Sequence, residues 1–288
     1  MLGRKLTLPL RNWICRLVIV GPILASCSGI SGTKPWLPGE DRDLLSASPT
    51  DPRLQNELEK IDRALRSELG IAEAERACGV LDLQDERLAW IRPDATFYGA
   101  SVPKICILLA YLEQNSPTDI DAQTKLELEL MIKRSDNDLS AKYSRLVGLQ
   151  NIQNLQRSRK YKLYDEQAGG GLWSGKHYGQ SQPRTGDPVH GYSHAANVRQ
   201  CLRYFLLLEQ GKLVSEASSK WIREVFAAPR LDFYNSNFVR GLNGRDALVL
   251  RKSGLWEDWH LDAARIEHKG RVYLLAGMTH HAKGGTYL

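Results

Sequence analysis

The sequence predicts an α+β fold in which strands from both ends of the chain form one antiparallel sheet. Three observations support it: an early strand hairpin, a long helical middle, and a last third that returns to strands. Strands at the two ends of a chain complete one sheet when the helical part is inserted between them. We therefore expect an antiparallel sheet flanked by helices, with an inserted all-helical subdomain.

A helix and a hairpin open the folded region. Between residues 54 and 69, apolar side chains recur on one helical face, at Leu54, Leu58, Ile61, Leu65 and Leu69. Segments 77–82 and 87–92 then flank a polar turn, which is typical of a β-hairpin. Segment 105–112 is apolar on every side, which predicts a helix buried in the core.

The middle and the end of the chain complete the pattern. Amphipathic helices are predicted over 120–133, 138–147, 195–210 and 215–227. Three strands are predicted over 247–253, 260–267 and 271–278, with Lys269-Gly270 as the turn between the last two. The whole region, 54–288, is long enough to enclose one large core and forms the predicted domain.

Residues 1–26 have the pattern of a lipoprotein signal peptide. They carry four basic and no acidic side chains, and their apolar run over 17–25 is too short to span a bilayer. The run ends in Leu24-Ala25-Ser26-Cys27, which matches the bacterial lipobox. We expect lipidation of Cys27 and a membrane anchor without a spanning helix. A plain cleaved signal and an apolar anchor are the alternatives.

Ser28, rather than an aspartate, follows the lipidated cysteine, which favours the outer membrane, facing the periplasm. Residues 27–53 are rich in Ser, Gly, Pro and Asp and are predicted to form a flexible linker. Removal of the signal lowers the formal charge from +6 to 6 − 4 = +2, so composition gives no sign of nucleic-acid binding.

Three cysteines, Cys78, Cys106 and Cys201, remain in the mature chain. In an oxidising compartment they can form at most one disulfide, and the sequence leaves open which pair forms it or whether all stay free. No Cys/His cluster has the spacing of a metal site, so neither a metal nor another cofactor is expected.

Three short motifs carry the chemistry: Ser101-Val102-Pro103-Lys104, Ser135-Asp136-Asn137 and Lys252-Ser253-Gly254. The first opens the buried helix, the second lies among the inserted helices, and the third lies on a sheet strand. These places can meet only at the seam between sheet and helices, which is where clefts form. We expect the site there.

The first motif favours an activated nucleophile. Lys104 follows Ser101 by three residues, which places both on one face of a helical turn, with Cβ atoms about 5–6 Å apart. Burial disfavours an ammonium, so a desolvated Lys104 can take the proton of the serine hydroxyl. On its own, the motif is typical of an N-cap serine beside a solvated lysine.

The second and third motifs supply helper groups. Ser135 can relay a proton to a leaving nitrogen, Asn137 can orient a carbonyl or the lysine, and Asp136 is expected to cap the next helix. Lys252 and Ser253 can bind a substrate carboxylate, and the glycine after them lets a ligand approach the strand. Alone, each motif is typical of a capping turn or a strand end.

As an ordered set, the motifs resemble those of class A serine β-lactamases and penicillin-binding DD-peptidases. Segments 131–134, 260–264 and 274–277 are similar as well, so the likeness covers roughly residues 54–280. It implies the β-lactamase/transpeptidase-like fold. It also implies an acyl-enzyme at Ser101, with Lys104 as its base partner and Ser135 as proton relay.

The same resemblance implies the groups that hold the substrate. Asn137, Lys252 and Ser253 would orient it, next to Gly254. The backbone N–H groups of Ser101 and Leu255 would form the oxyanion hole.

The chain departs from the family pattern in three places. Only 34 residues separate the two motif serines, and Lys-Ser-Gly replaces the commoner Lys-Thr-Gly. No E-x-x-L-N segment is present, whose glutamate positions the deacylating water in class A enzymes. Glu166 belongs to the nearest acidic pair, whereas counting back from 185–188, similar to the end of the omega loop, reaches His177. Both are candidate deacylation bases, with a surface histidine as the alternative for His177.

These patterns predict a β-lactamase-like serine hydrolase that is acylated by β-lactams at Ser101. One alternative is a DD-peptidase or esterase-like protein that acts on peptidoglycan stem peptides or other amides and esters, with slow deacylation. Another is a lipid-anchored binding protein without catalysis. The predicted partners are a β-lactam or peptidoglycan-like small molecule and the membrane, through the lipid anchor at Cys27, with no nucleic acid.

Overall fold

The computed structural model describes residues 43–47, 50–233, 237–242 and 244–288. The predicted signal peptide, the lipidation site at Cys27 and most of the predicted linker lie outside the described residues. Within these ranges, no helix combines the length and the hydrophobicity needed to cross a membrane.

The described elements follow the predicted order of helix, hairpin, helical middle and three strands. The helices are α1 Leu44–Ala47, α2 Pro52–Leu69, α3 Lys104–Gln114, α4 Ala122–Lys133, α5 Asn137–Val147, α6 Leu149–Arg157, α7 Val198–Glu209, α8 Glu216–Ala227, α9 Asn237–Gly241 and α10 Gly284–Tyr287. The strands are β1 Arg76–Asp82, β2 Arg87–Ile91, β3 Phe97–Tyr98, β4 Tyr164–Asp165, β5 Gly170–Gly171, β6 Trp173–Ser174, β7 His194–Ala196, β8 Leu248–Trp256, β9 Trp259–His268 and β10 Arg271–His280.

The main sheet has five antiparallel strands in the order β2-β1-β10-β9-β8. Strand β1, the first in the chain, pairs with β10, the last in the chain, and Gly79 lies opposite Ala276. Strand β8 forms one edge, where Lys252 lies opposite Ala263 of β9. The predicted α+β fold, with a sheet built from both chain ends, is confirmed.

Strand β10 separates two apolar layers because successive side chains point to opposite faces of a sheet. Leu274 and Ala276 pack in a core that includes α3 and α7. Tyr273 and Leu275 pack in a second core that includes the apolar stripe of α2. Helices therefore cover both faces of the sheet, which explains why β1 is buried along its whole length and β10 is buried between its two end residues.

The folded body begins before residue 54. Helix α2 starts at Pro52, since Asp51 caps it by accepting the N–H of Leu54 at 2.7 Å and proline suits a first turn. Leu44 and Leu45 of α1 are buried in the core that contains α7. Part of the linker predicted over 27–53 therefore belongs to the folded body. The sequence pattern did not predict this, because two adjacent buried leucines show no periodicity.

A buried ion pair holds β8 against β9 beside the third motif. Arg251 donates two hydrogen bonds of 2.8 Å to Asp262, and both side chains are buried. Bidentate pairing of this kind is among the stronger polar contacts, and it leaves neither charge unpaired in the interior. Lys252 follows Arg251 directly, so the ion pair also holds the backbone of Lys252 in place on the strand.

Short elements that sequence periodicity does not predict complete the fold. Strands β3, β7 and β6 form a small three-stranded sheet, and helix α6 follows α5 after a single glycine. Strands of two or three residues are too short to show alternation. Strand β3 leads directly into the first motif.

Cys78, Cys106 and Cys201 are free thiols. Burial raises the pKa of Cys78 and of Cys106 to about 12, and it raises the pKa of Cys201 as well. Thiols held neutral in this way are unreactive, so the three side chains contribute packing.

Candidate active site

A cleft of about 360 Å³ opens where β8 meets the helical segment. Ser101, Asn137 and Leu255 line it, so residues from the first two motifs and the residue after the third share one cleft. Among the described residues that line the cleft, none is an aspartate or a glutamate. The motifs therefore come together at the seam between sheet and helices, as predicted.

Ser101 lies in a tight turn between β3 and α3. Ala100 has a φ of 44°, and the N–H of Val102 donates to the carbonyl of Gly99 at 2.9 Å. Helix α3 begins only at Lys104, after Pro103 with φ −64°. Ser101 therefore precedes the helix instead of lying in its first turn, and its half-buried side chain borders the cleft.

Lys104 is fully buried and its amine is held by the second motif. The Nζ atom donates to the carbonyl of Ser135 at 2.6 Å and to Oδ1 of Asn137 at 2.8 Å. The Oγ atom of Ser135 is 3.3 Å away. Burial lowers the pKa of Lys104 to about 7, against the opposing charge of Asp136, so both protonation states are populated near neutrality.

The hydrogen-bond count at Lys104 fits both protonation states. Besides Ser135 O and Asn137 Oδ1, the Nζ atom donates to the carbonyl of Asp136 at 3.3 Å, so three of its partners only accept and match the three N–H groups of an ammonium. A neutral amine has two N–H groups and keeps the two shortest of these contacts. The lone pair that replaces the long contact to Asp136 can then receive a proton from a hydroxyl.

Ser135 joins the two lysine amines. Its φ of 59° lies in the left-handed region, which a residue other than glycine seldom adopts and which is often found at functional sites. Its Oγ lies 3.3 Å from Nζ of Lys104 and 2.9 Å from Nζ of Lys252. Asp136 caps α5 by accepting the N–H of Leu139 at 2.8 Å, as predicted.

Lys252 is buried and extends from strand β8 to the same hydroxyl of Ser135. Its Nζ also donates to the carbonyl of Ser253 at 2.8 Å. Burial lowers the pKa of Lys252 well below its ordinary value, and the nearby charges of Lys104 and Arg251 lower it further. The two amines and one hydroxyl form a continuous chain along which a proton can move.

Gly254 lets strand β8 approach the Ser101 turn. A Cβ atom at this position would lie 2.7 Å from the carbonyl oxygen of Gly99 and 3.1 Å from the backbone nitrogen of Ser101. Both neighbours are backbone atoms, which cannot rotate away as a flexible side chain would. The third motif therefore needs glycine for close approach to the nucleophile turn.

Gly254→Ala is expected to slow the reaction of Ser101 with a fluorophosphonate probe by about 10- to 100-fold, since the strand must shift away from the turn. The crowding is also expected to cost about 1–3 kcal/mol of unfolding free energy. Time-resolved intact mass and thermal melting measure the two effects. Leu248→Ala, at the exposed far end of β8, is the control, and a Gly254→Ala variant that reacts at the wild-type rate would contradict the argument.

The two groups predicted to assist deacylation lie elsewhere. Glu166 is exposed and pairs with Arg157. His177 places its Nδ1 atom 2.7 Å from Oγ of Ser144, and burial lowers its pKa. Neither residue is among those that line the cleft.

The cleft lining includes an aromatic pair, Tyr178 and His194, that the motifs do not predict. Tyr178 donates its hydroxyl to the carbonyl of Ala100 at 2.9 Å, and its ring centre lies 4.5 Å from Nζ of Lys104. The ring of His194 stacks on Tyr178 at 4.2 Å. Neither residue belongs to a motif. The one available signal is that Tyr178 follows His177 in the segment compared with the omega loop.

Residues 128–287, more than half of the chain, match the model of the beta-lactamase enzyme family. The match includes the second and third motifs and begins after Ser101 and Lys104. Among curated protein sequences, none matches this chain.

Solved structures show the same fold. A beta-lactamase from Chitinophaga pinensis has a TM-score of 0.61 and 13% identity, covering 80% of this chain and 95% of its own. A beta-lactamase from Sphaerobacter thermophilus has a TM-score of 0.57 and 14% identity, covering 73% and 83%. PBP-A has a TM-score of 0.55 and 15% identity, covering 73% and 84%. At such identities the likeness concerns the fold alone.

Proposed function

This chain belongs to the beta-lactamase enzyme family, and we propose that it forms an acyl-enzyme at Ser101 and hydrolyses β-lactam amides. Family membership agrees with the resemblance carried by the three motifs and supports an enzyme of the serine hydrolase type. One observation carries the finer proposal: Lys104 is buried, has a pKa of about 7, and is fixed by Ser135 and Asn137 beside the nucleophile turn.

Acylation needs a base, an oxyanion site and a proton for the leaving nitrogen. The Oγ atom of Ser101 attacks the lactam carbonyl carbon while its proton passes to the neutral amine of Lys104. The N–H groups of Ser101 and Leu255 receive the oxyanion. As the C–N bond breaks, Ser135 passes the proton that Lys104 took from Ser101 to the nitrogen. Lys252 holds the substrate carboxylate, whose negative charge favours the protonated form of this amine.

The cleft favours slow release of the acyl group. A retained ester must be attacked by water, and water needs a base to take its proton. Since no aspartate or glutamate is found among the described residues lining the cleft, the second candidate is a penicillin-binding protein with long-lived adducts. A mutant of PBP-A has been solved as an acyl-enzyme complex with penicillin G, which makes penicillin G the natural first probe for this chain.

Intact-mass spectrometry after brief and long exposure of the full chain to penicillin G separates the candidates. We expect one covalent adduct after brief exposure, followed by its loss and by the accumulation of hydrolysed penicillin. A stoichiometric adduct that persists for many hours would favour the penicillin-binding alternative. No adduct with either penicillin G or a fluorophosphonate would contradict both and leave a binding protein without catalysis.

A further inference from the structure

The cleft contains a cation that no described residue pairs with. Lys176 lines the cleft together with Ser101 and is half-buried. Within the described ranges, its amine forms neither a hydrogen bond nor an ion pair. Charged groups that are partly removed from water are normally paired, so Lys176 is available to an anion that enters the cleft.

The backbone before Lys176 is held in place next to β7. The N–H of Gly175 donates to the carbonyl of Ser193 at 2.7 Å, and the carbonyl of Gly175 accepts the N–H of Thr185 at 2.7 Å. A Cβ atom on Gly175 would clash with the carbonyl oxygen of Thr185, so this close approach requires glycine. The position of Lys176 on the cleft wall is therefore fixed by its neighbours.

Two segments of the cleft wall are anchored on the same nucleophile turn. Tyr178, two residues after Lys176, donates its hydroxyl to the carbonyl of Ala100 at 2.9 Å. Gly254 approaches this turn closely from β8, and Trp256, two residues further on, is an exposed aromatic side chain in the cleft lining. An acyl group attached to the turn therefore has a cation from one segment and an aromatic ring from the other within the same cleft.

The positive charges around the cleft act together. Burial lowers the pKa of His194, a residue of the cleft lining, to about 3, and the charges of Lys176, Lys104 and Arg184 lower it further. Three cations therefore act on one point of the wall, and the described lining contains no carboxylate to offset them. A cleft lined by charges of one sign attracts ligands of the opposite sign.

We propose that Lys176 binds a second carboxylate, on the acyl side chain of the substrate, an inference that rests on the proposed acyl-enzyme. Lys252 holds the carboxylate next to the lactam nitrogen, so the preferred substrates are β-lactams with a further anion on the side chain. Trp256 offers an apolar surface to an aromatic ring on that side chain. Lys176 is then a specificity residue, which touches the substrate and takes no part in the bond changes.

Penicillin G and carbenicillin are a matched pair of probes, because carbenicillin carries one additional carboxylate on the same phenyl-bearing side chain. The second-order rate of adduct formation is measured for both by intact mass, on the full chain at low ionic strength. We expect the wild-type protein to react faster with carbenicillin. Lys176→Gln should lower the ratio of the carbenicillin rate to the penicillin G rate by about 10-fold. The ratio cancels any effect on the chemistry at Ser101 that both probes share.

Three further variants make the ratio specific. Lys176→Arg keeps the positive charge and should retain most of the preference for carbenicillin. Lys220→Gln is the matched control, since this lysine is exposed on α8 and outside the cleft lining, and its ratio should equal that of the wild type. A wild-type ratio in Lys176→Gln would overturn the inference, and so would a fall seen in Arg184→Gln alone.

The salt dependence of the wild-type ratio gives a readout that needs no variant. Raising the ionic strength from about 20 mM to about 500 mM screens attraction between charges, so the preference for carbenicillin should fall several-fold. A ratio that stays constant would overturn the inference even if Lys176 variants do not fold. If the wild-type protein forms no adduct with either probe, the proposed function itself fails. Adducts from both probes with a ratio insensitive to Lys176 refute this inference alone.

Discussion

Ser101→Ala is expected to abolish the covalent adduct with penicillin G and with a fluorophosphonate. The variant removes the oxygen that the proposal assigns to bond formation with the carbonyl carbon. The protein should remain folded, with unfolding free energy changed by no more than about 0.5 kcal/mol, because the substitution removes one half-buried oxygen. Intact mass and thermal melting measure the two effects.

Ser181→Ala is the matched control, since this serine is exposed but lines the same cleft. It should acquire the adduct as fast as the wild-type protein does. An adduct of full stoichiometry on Ser101→Ala would show that another side chain is the nucleophile. The acyl-enzyme proposal would then be wrong at its first step.

The architecture was predictable where the sequence contains long periodic segments. Two such segments are the apolar stripe from Leu54 to Leu69 and the all-apolar helix over 105–112. Each buries many side chains, and burial on that scale produces a recognisable pattern of apolar residues in the sequence. The cap of α5 was predictable too, because Asp136 acts on an N–H only three residues away. The order of the sheet strands was predictable from the same periodicity together with the rule that consecutive elements are usually neighbours in space.

The missed features depend on contacts between segments far apart in the chain. His194 meets Tyr178 only because β6 and β7 pair, and both are shorter than one period of a detectable pattern. Leu44 and Leu45 are buried by a core that the rest of the chain builds. Ser101 lies in a turn before α3, and strand β8, distant in the chain, contacts that turn closely at Gly254. The motifs therefore predicted the catalytic residues, whereas the residues that form the cleft walls follow only from the three-dimensional packing.

Replacement of Lys104 is the second change with a large expected effect. Lys104→Met should lower the rate of adduct formation by about 10²- to 10⁴-fold, the usual contribution of a positioned base. The wild-type rate should rise with pH through about 7, because the pKa of Lys104 is about 7 and only the neutral amine accepts the proton. About a tenth of the amine is neutral at pH 6 and about nine tenths at pH 8. In the variant this rise should disappear.

Lys104→Arg separates positive charge from basicity, since a guanidinium does not lose its proton in proteins. It should be as slow as Lys104→Met if proton transfer is what matters. Lys133→Met is the matched control: Lys133 is also buried, burial lowers its pKa to about 8, and its amine contacts the carbonyl of Ala227 outside the cleft. If Lys104→Arg retained the wild-type rate, or if Lys104→Met still accelerated through pH 7, Lys104 would act by charge or packing, and the base would be a different residue.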